Sequence, residues 1–442
     1  MKFRSTLHRS PEVSLREAVL HGSPPDGGLY MPAEMPHLPA DFTARLRSMP
    51  FPELAQEVIG LFLGAEVPPD SLKQVIHAAF DFPIPLVSLT DRLHILELFH
   101  GPTLAFKDFG ARFMARLMGY FVREMGGQLT VIVATSGDTG SGVAHAFLGV
   151  PGISVVILYP AGRVTDAQEK QFTTLGQNIT ALEVAGSFDD CQRLAKQALV
   201  DPQLTQKILI TSANSINIGR LIPQMFYYFA AFAQLRDAST PVVFSVPSGN
   251  FGNLTGGLFA KRIGLPVAQF IAATNANDVV PEFLRTGHLT PRASQHTLSN
   301  AMDVGNPSNF ARIVDLYGND LQAIRHDIWG CGFSDDETLH AMRELLQRHQ
   351  YLPDPHTAVG VLGWESFLKQ HPAPAQGIVL ATAHPAKFAE TVERAVGTRP
   401  EMPERLAVSL NRPKQSIPFP NRFPALQEFL LSSRAGTGIA RA

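Results

Sequence analysis

Lys107 sits in the segment Leu98-Phe-His-Gly-Pro-Thr-Leu-Ala-Phe-Lys-Asp-Phe-Gly-Ala-Arg112, with Leu104, Ala105, Phe106 and Phe109 as apolar neighbours. An amine among apolar groups loses hydration of its ammonium form. Its pKa then falls, and it gains the neutral nitrogen that a Schiff-base nucleophile needs. The other reading of the segment is a solvated surface lysine. Three glycine- or hydroxyl-bearing loops could share a site with it: Ala134-Thr-Ser-Gly-Asp-Thr-Gly-Ser141, Val246-Pro-Ser-Gly-Asn-Phe-Gly-Asn253 and Ala381-Thr-Ala-His-Pro-Ala-Lys387. A glycine-rich turn lets backbone N–H groups converge on an anion, and a following helix adds its positive end. Pro247–Asn253 is therefore the candidate phosphate cup, with an ordinary capped βα turn as the competing reading.

The elements that must position these residues follow a clear rhythm. Short apolar runs, Leu129–Ala134, Ser154–Leu158, Ile208–Ile210, Val242–Val246, Phe270–Ala273 and Ile378–Ala381, alternate with helix-like stretches, one starting near Ser141 and another over Thr165–Leu175. Strands that are apolar throughout, rather than alternating, belong to parallel sheets covered on both faces. The units are too many for one small sheet, so the fold class is α/β with two parallel-sheet lobes. Each loop above directly follows a strand, where ligands of open α/β sheets bind. Residues 1–92 carry several prolines and the helical stretches Phe51–Leu63 and Pro69–Phe80, and read as an accessory N-terminal domain. The residues from Ser432 onward are small and polar and read as a loose, disordered tail.

Composition excludes several classes. Of 442 residues, 45% are hydrophobic and 17% charged, and the net charge is -2, so no basic surface is available for nucleic acid or an anionic membrane. No apolar run approaches the length of about 18 residues that spans a bilayer. Two distant cysteines, Cys191 and Cys331, exclude a disulfide scaffold and suit a reducing cytoplasm. No GxxxxGK[ST], GxGxxG, GxSxG or HExxH pattern occurs, which argues against nucleotide, serine-hydrolase and zinc-protease chemistry. No metal site is expected.

Taken together, Phe99–Asp108, Ala134–Ser141, Ser248–Gly252 and Ala381–Lys387 resemble the threonine synthases, enzymes that use pyridoxal 5'-phosphate (PLP) on fold type II. Lys170–Leu182, Thr211–Asn217, Ser5-Thr and Gly27–Pro32 match the long-form branch of that family. The resemblance runs in order over residues 1 to about 400. It implies an additional N-terminal domain (1–92), a larger PLP-binding lobe (93–127 and 237–400), a smaller lobe (128–236) and a C-terminal extension (401–442). It further implies conversion of O-phospho-L-homoserine and water to L-threonine and phosphate, by a monomer or homodimer. Lys107 would carry PLP. Ser248, Gly249, Asn250, Phe251, Gly252 and Asn253 would hold its phosphate, Thr382 its pyridine nitrogen, and Asp138 would lie near its ring hydroxyl. A second anion site is then needed for the substrate phosphate. Ser136, Thr139 and Ser141 suit it by their hydroxyls, as do Asn217 and Arg220 at the start of a helix. Dehydratases and phospho-lyases share this fold and lysine, so the fold alone does not fix the substrate.

Overall fold

A computed structural model describes residues 1–237 and 239–436. Two parallel sheets dominate it. The larger has six strands in the spatial order Ile328–Gly332, Val267–Thr274, Val242–Pro247, Gln376–Ala381, Leu93–Glu97 and Leu86–Ser88, parallel except for the last, an antiparallel edge. The smaller has five parallel strands in the order Ile417–Phe419, Ile179–Val184, Ile153–Pro160, Leu129–Ala134 and Ile210–Ser212. Every residue of Leu129–Ala134, Val242–Pro247 and Gln376–Ala381 is buried. Their predominantly apolar character, interrupted at Thr130, Ser245 and Gln376, follows from helices on both faces.

The expected α/β lobes are present, with adjustments at their edges. The helix expected from Ser141 begins at Asp138, and the strand expected at Ile208–Ile210 occupies Ile210–Ser212. Leu86–Ser88, from the N-terminal segment, edges the larger sheet, while Ile417–Phe419, from the C-terminal extension, edges the smaller. Ser432–Gly436 is not a loose tail but the end of a helix from Phe423 to Gly436, anchored by buried Leu426 and Leu430 one turn apart. The rest of the expected tail, 437–442, lies outside the described residues.

The N-terminal region combines a three-stranded antiparallel sheet (Val13–Ser14, Lys2–Ser5, Tyr30–Pro32) with the helices Phe51–Leu63 and Pro69–Ala79. Its role is partly to brace the lysine-bearing helix, Lys107–Met125. Phe80 meets Phe109 and Phe113 of that helix at ring-centroid distances of 5.8 and 6.3 Å. Such aromatic packing fixes the helix against the sheet beneath it.

Candidate active site

Lys107 is the first residue of its helix, and the chain leading to it is laced to the loop after strand Gln376–Ala381. Leu98 N donates to Ala381 O (3.0 Å), Phe106 N to Thr382 O (2.9 Å) and His384 N to Leu104 O (3.0 Å). Backbone hydrogen bonds thus bring Lys107 and Thr382 together from distant parts of the sequence. Asp108 closes the loop by accepting from Thr103 N (2.9 Å) and Thr103 Oγ1 (2.8 Å). Gly101 is required here, because a Cβ would lie 2.4 Å from Asp108 Oδ2. Burial pushes the Asp108 carboxyl up to about 6. The Lys107 amine makes no hydrogen bond or ion pair among the described residues and lies 4.5 Å from the Phe106 ring centroid. Burial, reinforced by the Arg220 and Lys387 cations and opposed by Asp138, brings its pKa down to about 8. This is the desolvated amine that the sequence suggests.

The loop after Leu129–Ala134 is organised by Thr135, which the sequence reading passes over. Its Oγ1 accepts from Gly137 N (2.9 Å) and Gly140 N (2.8 Å), winding the chain into the helix Asp138–Phe147. Asp138, at that helix's N-terminus, pairs with Lys387 Nζ (2.6 Å) and accepts from Gln168 Nε2 (3.0 Å). Burial acts to raise the Asp138 pKa, but Lys387 outweighs it and holds the carboxyl below its ordinary value. Lys387 also donates to Thr103 O (2.9 Å), tying this ion pair to the Lys107 loop. It stands in the quoted Ala381–Lys387 motif, yet residue type alone gives no hint that its partner is Asp138.

Ser136 is exposed and Thr139 half-buried, and neither hydroxyl is hydrogen-bonded among the described residues. Ser141 and Asn217 differ from that pattern. Ser141 Oγ is buried and donates to Gly137 O (3.3 Å) and Gln168 O (3.1 Å). The Asn217 amide donates to Val19 O (2.8 Å) and Ser212 O (3.0 Å), while its Oδ1 caps Gly219 N (2.9 Å). Both side chains expected to meet substrate are committed to the protein's own backbone, the usual local competition for short polar side chains. Arg220 is buried. It donates through Nη1 to Ala213 O (2.6 Å) and leaves Nε without a partner. It packs against Gly110, one turn along the Lys107 helix, where a Cβ would lie 2.5 Å from the Arg220 carbonyl.

The cup is built as a strand–turn–helix. Phe251 takes a left-handed φ of 59° to start the helix Gly252–Ile263, and Asn253 Nδ2 ties back to Pro247 O (2.9 Å). Gly249 has no room for a Cβ, which would lie 2.6 Å from Met302 Cα. Ser248 N and Oγ are used internally, donating to Ala273 O and Val246 O. The N–H groups of Gly249, Asn250, Phe251, Gly252 and Asn253 find no acceptor among the described residues. Thr382 is buried, and its hydroxyl is likewise unpartnered among them. A neutralisable amine, a nest of free N–H groups and an open hydroxyl match the aldehyde, phosphate and ring nitrogen of PLP. The residues fit that cofactor.

Comparison with known proteins decides the family. Residues 83–382 match the model of pyridoxal-phosphate-dependent enzymes, residues 2–80 that of the threonine synthase N terminus and 357–430 that of its C-terminal part. The threonine synthase of Serratia marcescens is 44% identical over 98% of this chain and 99% of its own. The chain belongs to the threonine synthase family. The crystal structure of the Escherichia coli threonine synthase superposes with a TM-score of 0.91 at 42% identity, covering 98% of this chain and 100% of that one. The PLP-bound threonine synthase of Brucella melitensis gives 0.91 at 36%, covering 97% and 98%. The family is PLP-dependent, and PLP is the cofactor of this protein. Among the described residues no helix is long and apolar enough to cross a membrane, and no group of His, Cys, Asp and Glu could hold a metal ion.

Proposed function

We propose that this threonine synthase family member converts O-phospho-L-homoserine and water to L-threonine and phosphate. The observation that carries the reading is a site with provision for two anions. The N–H nest at Gly249–Asn253 supplies one place. Ser136 and Thr139, whose hydroxyls are unbonded among the described residues, and Arg220, buried with an unpartnered Nε, would supply the other.

Bound PLP supplies an electron sink for carbanions next to its imine carbon, which allows phosphate to leave from Cγ and water to add at Cβ. The protein supplies the rest. Lys107 would hold the cofactor through Nζ and would take and return protons at the substrate carbons. A pKa of about 8 suits it to both tasks near neutral pH. The cup's N–H groups and the helix start at Gly252 would hold the cofactor phosphate. Thr382 Oγ1 would serve the pyridine nitrogen. A hydroxyl, unlike a carboxylate, does not enforce ring protonation there. Asp138 would lie near the ring oxygen without repelling it, since Lys387 already balances its charge. Arg220, Ser136 and Thr139 would orient the leaving phosphate. The enzyme would work in the cytoplasm, where the free thiols of Cys191 and Cys331 stay reduced.

Product analysis tests the proposal. The PLP-loaded protein incubated with O-phospho-L-homoserine should release threonine and phosphate in equal amounts. Release of 2-oxobutyrate and ammonia instead of threonine would make it a phospho-lyase and overturn the reading.

A further inference from the structure

Arg312 lies in the helix Phe310–Leu316 and is fully buried, with no carboxylate within ion-pair distance among the described residues. Its guanidinium is held by neutral oxygens only. Nε donates to Tyr30 O (3.0 Å), Nη1 to Ser215 O (3.1 Å) and Asn309 Oδ1, and Nη2 to Ile216 O. Isolated buried charge is costly, and proteins ordinarily match it with a counter-charge. The partners of Arg312 point to where the counter-charge belongs. Asn309, which accepts from Arg312, donates through Nδ2 to Asn250 O (3.1 Å) and Ser215 Oγ (3.0 Å). Ser215 Oγ also accepts from Asn250 Nδ2 (2.7 Å), and Asn250 Oδ1 accepts from Ser308 N (2.6 Å). Arg312 therefore stands directly behind the cup, one amide side chain from its backbone.

We propose that Arg312 is a positioning residue for the cofactor phosphate: a buried cation behind the cup that the phosphate dianion neutralises, with Asn309 and Ser215 as the relay. The proposal rests on the assignment of Gly249–Asn253 as the phosphate cup. It also accounts for the meeting of three segments at one side chain. Tyr30 comes from the N-terminal sheet, Ser215 and Ile216 from the loop after strand Ile210–Ser212, and Asn309 from the larger lobe. All three are then ordered around one anion site.

The experiment compares PLP with pyridoxal, which lacks the phosphate. The full chain, freed of cofactor, is titrated with each, and the ratio of the two affinities is read by absorbance. Wild type should favour PLP strongly. Arg312→Met should reduce that ratio by about tenfold or more, the scale of one lost charge interaction in a partly polar interior. Arg312→Lys should retain most of it. A residue that merely packs would lower both affinities together, so an unchanged ratio in Arg312→Met overturns the proposal. If Arg312→Met does not fold, Asn309→Asp sets a carboxylate against the guanidinium, with Asn309→Ala as the uncharged control. The ratio should be lower in Asn309→Asp than in Asn309→Ala, and equality overturns the proposal. A wild type with no preference for PLP over pyridoxal would instead remove the cup assignment itself.

Discussion

The Asp138–Lys387 pair gives a perturbation whose size follows from the structure. Lys387 is fully buried and Asp138 nearly so, and among the described residues the carboxylate has only Gln168 as another side-chain partner. Lys387→Met removes the cation and leaves the carboxylate to be buried as a charge or protonated. Protonation sets the ceiling. Starting from the ordinary aspartate value of 3.8, it costs about 4.4 kcal/mol at pH 7 and about 1.6 kcal/mol at pH 5. The sign follows from linkage. In the wild type the folded-state pKa is depressed, so the pair's contribution is complete above about pH 4 and is lost as pH falls through the folded value. In Lys387→Met the folded pKa is raised, so the variant's deficit should grow with pH, by up to about 1.4 kcal/mol per unit between pH 4 and the new pKa. Loss of the Lys387 hydrogen bond to the Thr103 carbonyl, which still accepts from Gln171 Nε2 (3.3 Å), adds at most about 1 kcal/mol that does not vary with pH. Urea denaturation of both proteins without cofactor at pH 5, 6 and 7 reads this directly. A deficit that stays flat or shrinks as pH rises would refute the reasoning. Lys387→Arg, which keeps the charge, should show little of the slope.

Three further outcomes test the cofactor site. Borohydride reduction of the PLP-loaded protein should fix the cofactor to the peptide containing Lys107, and Lys107→Ala should lose this labelling; in the cofactor-free protein the rate of PLP attachment should rise with pH through about 8 and then level off, because the neutral amine attacks. Gly249→Val forces a Cβ against Met302 Cα and should weaken PLP binding more than it raises the substrate KM, whereas Gly252→Ala, whose Cβ would meet nothing closer than 3.5 Å, should be far milder in equilibrium titrations. Thr382→Val keeps the shape and removes the hydroxyl, so steady-state kinetics should show kcat falling more than PLP affinity; unaltered kinetics and absorbance would withdraw Thr382 from the ring's environment.

The sequence makes the lobes legible because their strands are apolar on both faces, and the three loops because each follows such a strand. It leaves the edges obscure. Ile417–Phe419 is a three-residue strand with proline at its centre, tolerable only where one side of the backbone needs no partner. Residue type and position bring Lys107 and the loop Pro247–Asn253 forward as candidates, while the role expected of Thr382 comes from the family resemblance. The site is not legible where a side chain's partner is set by distant folding. Ser141 and Asn217 have the right chemistry for a phosphate, yet backbone carbonyls and N–H groups nearer at hand claim them. Arg312 is passed over altogether. Nothing in Phe-Ala-Arg-Ile-Val marks it, because the carbonyls of Tyr30, Ser215 and Ile216 that hold it converge from distant parts of the chain.

The charges of the site form a pattern that no single residue shows. Among the described residues no carboxylate is paired to Lys107, Arg220 or Arg312, and burial lowers the pKa of all three. Of the two nearby acids, Asp138 is already balanced by Lys387, and Asp108, pushed up to about 6, is turned to Thr103. A core optimised for stability alone would pair these cations or replace them with apolar side chains. Under the proposed function the site receives two phosphate dianions and has the opposite need, since each would otherwise enter a low-dielectric cleft uncompensated. The cationic excess divides accordingly. Arg312 stands behind the cup, Arg220 lies beside the lysine-bearing helix, and Lys107, its pKa lowered to about 8, can give up its own charge when it attacks. On the two proposals above, these uncompensated cations would be the source of the site's affinity for anions, with three chain segments ordered around Arg312.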